Sequence, residues 1–200
     1  MTLYRVARDS NVINALRNAC RNGKQVTVVI ELQARFDEEA NIRWTKKLEE
    51  EDARILDGVP GLKVHAKLCL ITRIEDDKKV NYAVVGTGNY NESTAKIYSD
   101  HSLLTADSRI TGEVNKLFKF LENNYKTYNY KHLLVSPFLM REKFYKMIQT
   151  EIKNSKAGKP AYIYAKMNSL VDRNMINKLY QASKAGVQIR LIVRGICSGS

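Results

Sequence analysis

An imidazole, an ammonium and a glycine-rich turn fall within one short stretch of this chain, Gly58 to Asn91. It reads G-V-P-G-L-K-V-H-A-K-L-C-L-I-T-R-I, then a charged segment, then V-N-Y-A-V-V-G-T-G-N-Y-N. Alternation in the first half predicts a strand with His65 and Lys67 on one face and Val64, Ala66 and Leu68 on the other. Glu75-Asp76-Asp77-Lys78-Lys79 predicts a polar hairpin tip, and Val80 to Val85 the returning strand. That strand runs into Gly86-Thr87-Gly88-Asn89, so the hairpin brings this turn back beside His65 and Lys67. Imidazole can attack phosphorus, an ammonium can hold phosphoryl oxygens, and turn N–H groups with the Asn89 amide can cradle them. A lone histidine on an apolar strand is more often a hydrogen-bonded core residue. Lys67 argues the other way, because lysine is rarely buried without a partner, and so does the turn. The three features together point to phosphoryl chemistry.

The rest of the chain must position that stretch. Its 200 residues suffice for one large domain or two small ones, and 33 Lys and Arg against 21 Asp and Glu leave a formal charge of +12. Such a surplus attracts polyanions: nucleic acid, anionic lipid, nucleotide or inorganic phosphate chains. Cys20, Cys69 and Cys197 lack metal-site or disulfide spacing and read as free, buried thiols of a reducing cytosol. No apolar run approaches membrane-span length and no signal peptide opens the chain, which together predict a cytoplasmic protein. The abrupt start and the closing Ser-Gly-Ser suggest a piece of something longer.

In order, Thr2 to Val6 predicts a strand carrying Arg5, and Asp9 or Ser10 caps a helix through Val12, Ile13, Leu16 and Ala19, ended by Gly23. Val26 to Leu32 reads as a parallel-sheet strand covered on both faces. Arg35 follows in a polar loop at that strand's C-terminal end, the edge where open α/β sheets bind ligands. Asp37, Glu38 and Glu39 could suggest metal ligands, but an acidic first helical turn explains them as well. A charged helix leads to about Glu51, and Arg54 to Leu56 is a short strand. Beyond the glycine turn come a polar turn from Glu92 to Tyr98, a strand from Ser99 to Thr105, and a helix capped by Asp107 or Ser108. Asn123 to Lys131 is polar, tyrosine-rich and a domain boundary, giving domains at 1–131 and 132–200. In the second, Leu133 to Ser136 and Tyr162 to Met167 predict strands, about Arg141 to Lys156 a helix, Val171 to Ala185 a helix capped by Asp172, and Val187 to Val193 a last strand.

A weak repeat links the two. A-C-R-N-G-K-Q-V-T-V-V-I-E-L (19–32) resembles A-S-K-A-G-V-Q-I-R-L-I-V-R (182–194), each a helix end, a glycine and an apolar strand. If the lobes are related, the counterpart of His65 in the second falls beyond Ser200.

His-x-Lys followed by Gly-Thr-x-Asn resembles the phospholipase D superfamily signature, in which two lobes each contribute a histidine. That signature usually has an Asp five residues after the Lys, where this chain has Thr72, and a shorter interval to the glycine turn. A closer resemblance lies in L-Y-R-V, E-L-Q-A-R-F-D-E-E-A-N-I, G-L-K-V-H-A-K-L, G-T-G-N-Y-N-E-S-T-A, S-L-L-T-A-D, L-V-S-P and I-V-R-G-I-C. These runs look like the bacterial long-chain polyphosphate kinases of the histidine-phosphorylated type, across essentially the whole chain.

The resemblance implies an α/β fold: a phospholipase D-like mixed sheet flanked by helices as catalytic domain, then the truncated beginning of a second similar lobe. It implies reversible transfer of the terminal ATP phosphoryl group to inorganic polyphosphate through a phosphohistidine at His65. Lys67 and Asn89 would assist. Arg5 and Arg35 match arginines associated with the magnesium–phosphate site; arginine cannot ligate a cation, so they would hold the phosphate that Mg2+ bridges. Tyr98 and Arg194 match positions contacting the nucleotide. ATP, ADP and polyphosphate are the implied partners, with no nucleic acid expected; homo-oligomerisation of a full-length enzyme and peripheral membrane association stay open. The isolated piece is expected to be inactive. The alternatives are a phospholipase D-like phosphodiesterase and a basic polyanion- or nucleic-acid-binding module.

Overall fold

Val28, Val29 and Ile30 are each at most 1 % exposed, and a run of β-branched residues covered on both faces favours a central parallel strand. In the computed structural model, which describes residues 1–31 and 38–199, they lie in β2 (Thr27–Ile30) between β1 (Thr2–Leu3) and β3 (Arg54–Asp57). All three strands are parallel, with Thr2 opposite Val29 and Val28 opposite Ile55. Helices α1 (Asn11–Arg21) and α2 (Glu38–Glu49) make the crossovers. Ser10 caps α1 by accepting from the Ile13 N–H, and Gly23, at φ +70°, turns the chain back in a conformation that glycine adopts without strain. Leu3, Val6, Ile13, Val28, Ile30, Trp44, Leu48 and Ala53 form the core beneath. Full burial of each large side chain there contributes about 1.5–3 kcal/mol.

The second sheet of this half is antiparallel, in the order β4 (Lys67–Glu75), β5 (Lys78–Gly86), β6 (Ser102–Thr105). Its hairpin closes on Asp76 and Asp77, both at positive φ (48° and 58°), the two-residue turn whose twist suits flanking strands. The register sets Lys67 opposite Gly86. The short helix α3 (Glu92–Ala95) follows the glycine turn, and α4 (Ser108–Glu122), capped by Asp107, packs on β4 and β5.

Several expectations need correction. The β4 ladder starts at Lys67, so His65 sits in the extended lead-in and not within the strand. Val64 and Leu68 are buried as alternation predicts, but Ala66 is exposed because that lead-in has no paired neighbour to cover it. No strand forms over 133–136. The backbone N–H groups of Lys131, His132 and Leu133 instead donate to the Glu113 carboxylate, at 2.6 to 3.2 Å, which meets their hydrogen-bonding needs without a ladder. The three cysteines are free thiols, but Cys20 and Cys69 are only partly buried and Cys197 is exposed.

The chain divides into two compact units, Met1–Leu133 and Leu134–Ser200. The second contains α5 (Met140–Lys156), β7 (Tyr162–Met167), α6 (Arg173–Lys184) and β8 (Gln188–Val193). β7 and β8 pair in parallel through α6, which Asp172 caps at the Met175 N–H. Ile148, Ile152, Ala182 and Val187 make its core, and Gly186 takes φ +88° after the helix. Both units thus hold the same motif: strand, capped helix, left-handed glycine, parallel strand. No helix among the described residues is long and apolar enough to cross a membrane.

Candidate active site

Lys67 explains the geometry of its own neighbourhood. It is only 5 % exposed, so its ammonium must find partners inside the protein. It donates to the carbonyl oxygen of His65 at 2.6 Å and lies 2.9 Å from Nδ1 and 3.2 Å from Nε2 of the same residue. The two side chains therefore share one side of the backbone. The Tyr4 ring meets the imidazole edge-on, with centroids 4.7 Å apart, and lies 5.5 Å from the Lys67 ammonium. The Arg5 guanidinium stands 5.9 Å from the same Tyr4 ring.

Burial and the neighbouring charges shift both groups. The His65 imidazole is held below its usual 6.5 by partial burial, then by Lys67, then by Arg5, so it is neutral at pH 7. Burial brings Lys67 down to about 8; Asp100 opposes the shift and Arg5 adds to it. At pH 7 roughly nine-tenths of Lys67 is still the ammonium. The result is an imidazole whose neutral form is favoured, beside a buried ammonium.

The glycine turn borders this pair because Gly86 closes the ladder opposite Lys67. Thr87 Oγ1 donates to Asp100 Oδ1 at 2.8 Å and accepts from the His101 N–H at 3.0 Å, fixing the turn to the start of β6. The Asp100 carboxylate covers Gly88 so closely that a Cβ there would lie 2.5 Å from Oδ2. Asn91 caps α3, and Glu92 reaches back to the Asn11 N–H at 2.7 Å, satisfying the first turn of α1. Asn89 sits in the middle of this clamped turn, its Oδ1 buried without a hydrogen-bond partner among the described residues.

Of the other expected site residues, Tyr98 lies two residues before Asp100, on the loop from α3 to β6, with its ring exposed. Arg194 belongs to the second unit, just after β8, where its guanidinium donates to Asn168 Oδ1 at 2.8 Å. Arg35 lies outside the described residues. Asp100, Tyr4, Thr2 and Glu31 were missed by sequence reasoning. Glu31 left a signal: a carboxylate closing the apolar run V-V-I-E-L needs a buried partner. Among the described residues no three His, Cys, Asp or Glu side chains converge as a cation site. The donors gathered here suit phosphate oxygens and do not fit a resident metal ion.

Two family models match the chain: polyphosphate kinase C-terminal domain 1 over residues 1–127, and C-terminal domain 2 over 133–199. The chain belongs to the polyphosphate kinase family. It is 53 % identical over 198 residues to the polyphosphate kinase of Salmonella typhimurium and 54 % identical to that of Yersinia pestis. Each alignment covers 99 % of this chain and 29 % of the relative, so the chain spans under a third of their length. The crystal structure of polyphosphate kinase from Porphyromonas gingivalis superposes with a TM-score of 0.86 at 45 % identity, covering all of this chain and 33 % of that one. The fold is accordingly that of the polyphosphate kinase C-terminal domains, mixed α/β with parallel and antiparallel sheets flanked by helices.

Proposed function

We propose that the first unit carries the phosphoryl-accepting centre of a polyphosphate kinase, with His65 as the nucleophile. The observation that carries this reading is an imidazole with a buried ammonium 2.9 Å from its Nδ1, beside a clamped glycine turn. A His65 ring nitrogen forms a bond to the terminal phosphorus of ATP as the bond to the bridging oxygen breaks. ADP leaves with that electron pair. The phosphoryl group then passes to the terminal oxygen of a polyphosphate chain, restoring the imidazole, and each step runs in reverse.

Phosphoryl transfer is catalysed mainly by placing charge where it develops on the equatorial oxygens. Lys67 and Arg5 supply it from this unit, and the resemblance to the family assigns Arg35 the same task. Asn89 and the turn N–H groups orient the phosphoryl group. Magnesium enters as part of the Mg–ATP substrate. Tyr98 and Arg194 are assigned to the nucleotide in the longer enzyme, in which residues 1–131 are the catalytic domain and 132–200 the first part of a second lobe. A cytoplasmic setting supplies the ATP and suits three reduced cysteines.

Incubating the longer enzyme with γ-labelled ATP tests this. The reading expects a protein adduct that acid destroys, base spares and ADP discharges to ATP. An acid-stable, base-labile adduct belongs to a serine or threonine ester and contradicts it.

A further inference from the structure

The candidate nucleophile stands on backbone that no sheet holds. Residues 63–66 lie outside every strand, yet His65 must aim within a fraction of an ångström for in-line attack. Side chains from the neighbouring sheet supply the missing bonds. Thr2 Oγ1, on β1, donates to the Ala66 carbonyl at 2.7 Å and accepts from the Leu68 N–H at 2.9 Å. Glu31 Oε2, just past β2, accepts from the Val64 N–H at 3.2 Å. Thr2 is 1 % and Glu31 8 % exposed, so water does not compete for these bonds. Two fall on the residues either side of His65 and the third on Leu68 in β4, while the carbonyl of His65 itself is taken by Lys67.

We propose that Thr2 and Glu31 are positioning residues for His65, a clamp from the parallel sheet that fixes the direction of its imidazole. The hydroxyl suits the task because it can donate and accept at once, the two needs that the Ala66 carbonyl and the Leu68 N–H present. Tyr4, the residue after β1, lies against the imidazole edge, so backbone and ring are both referred to the same stretch of chain. Without the clamp the lead-in to β4 is free to pivot, and the imidazole loses its fixed place beside the ammonium. The catalytic part of this inference rests on the phosphohistidine reading of His65; the geometric part does not.

The test uses Thr2→Val, which keeps the shape and removes the hydroxyl, Thr2→Ser, which restores it, and Glu31→Gln. In the longer enzyme, Thr2→Val should lower the single-turnover rate of labelling from ATP by about 10- to 100-fold, with ATP half-saturation changed by less than about threefold. Thr2→Ser should recover most of the rate, and Glu31→Gln should lie between. An unlabelled wild type defeats the phosphohistidine reading; a labelled wild type with an equally fast Thr2→Val defeats the clamp. A second readout is independent of activity: NMR titration of His65 in the 200-residue chain. Thr2→Val should move its midpoint up toward that of an unconstrained histidine, as the ring leaves its half-buried place and parts from the ammonium, and Thr2→Ser should not. An unmoved midpoint in Thr2→Val overturns the clamp even if the variant is less stable.

Discussion

The Lys67 ammonium lies 2.9 Å from Nδ1 of His65 while donating to the carbonyl oxygen of that same residue at 2.6 Å. One buried cation thus holds the backbone of the candidate nucleophile and, after burial of the ring itself, adds to what lowers the imidazole pKa. The strand partner Gly86 brings the glycine turn to the same spot.

Anion binding should depend on pH through Lys67. Its affinity-giving form is the ammonium, present below about 8 and lost as pH rises through that value. Polyphosphate affinity, measured calorimetrically at fixed ionic strength, should fall between pH 7 and 9, approaching about tenfold per unit above 8 if one proton is linked. Lys67→Met should bind weakly with a flatter profile. An unchanged wild-type affinity across this range places the anion elsewhere.

The histidine makes a separate prediction about stability. Its folded pKa lies below the unfolded 6.5, so as pH falls the unfolded chain takes the proton first. The stability difference between wild type and His65→Ala should be constant above about pH 7.5. It should move against the wild type as pH drops below 6.5, levelling off once the folded form protonates too. Urea melts from pH 5 to 8 measure this, and a difference moving the opposite way means the ring is stabilised as a cation.

What was legible in the sequence was local. Ser10, Asp107 and Asp172 cap their helices because a short oxygen-bearing side chain before an apolar period has one good use. Gly23 and Gly186 marked the repeat that became two parallel strand–helix–strand motifs. The return of the glycine turn beside Lys67 followed from reading a hairpin, and the structure adds the register that pairs Lys67 with Gly86. What could not be read depends on residues far apart in sequence. Thr2 holding Ala66, Glu31 holding Val64, and Glu113 holding residues 131–133 at the start of the expected 133–136 strand leave no periodic trace. Asp100 escaped for the same reason, since only the folded turn brings its carboxylate over Gly88.

That approach makes Gly88 a sensitive position. In Gly88→Ala the new methyl group must displace the Asp100 side chain, three atoms of which lie within 3.0 Å of the Cβ position. Crowding of this kind costs about 1–3 kcal/mol. Because Asp100 is what raises the Lys67 pKa, its departure should let that pKa fall further, weakening anion binding at pH 7. Wild-type melting and anion affinity in this variant contradict the arrangement of the turn.

Glu113 should matter to the end of the first unit. Burial would raise its pKa, yet N–H bonds from Leu133, Lys131 and His132 hold the carboxyl below its usual range. Glu113→Ala leaves three backbone donors in search of partners and should cost about 2–3 kcal/mol, with faster amide exchange at Lys131 to Leu133. Unchanged protection at those amides shows that the segment is held by something else.

The central claim is that the phosphoryl group lands on His65. The chain has two other histidines, His101 and His132, and neither lies in the His-x-Lys stretch. The direct measurement is site mapping of the acid-labile label in the longer enzyme, using alkaline digestion and mass spectrometry, for the wild type and for His65→Ala, His101→Ala and His132→Ala. The account predicts phosphate on the peptide containing His65, label retained in the His101 and His132 variants, and none in His65→Ala. Full labelling of His65→Ala, or phosphate mapped to another residue, contradicts it.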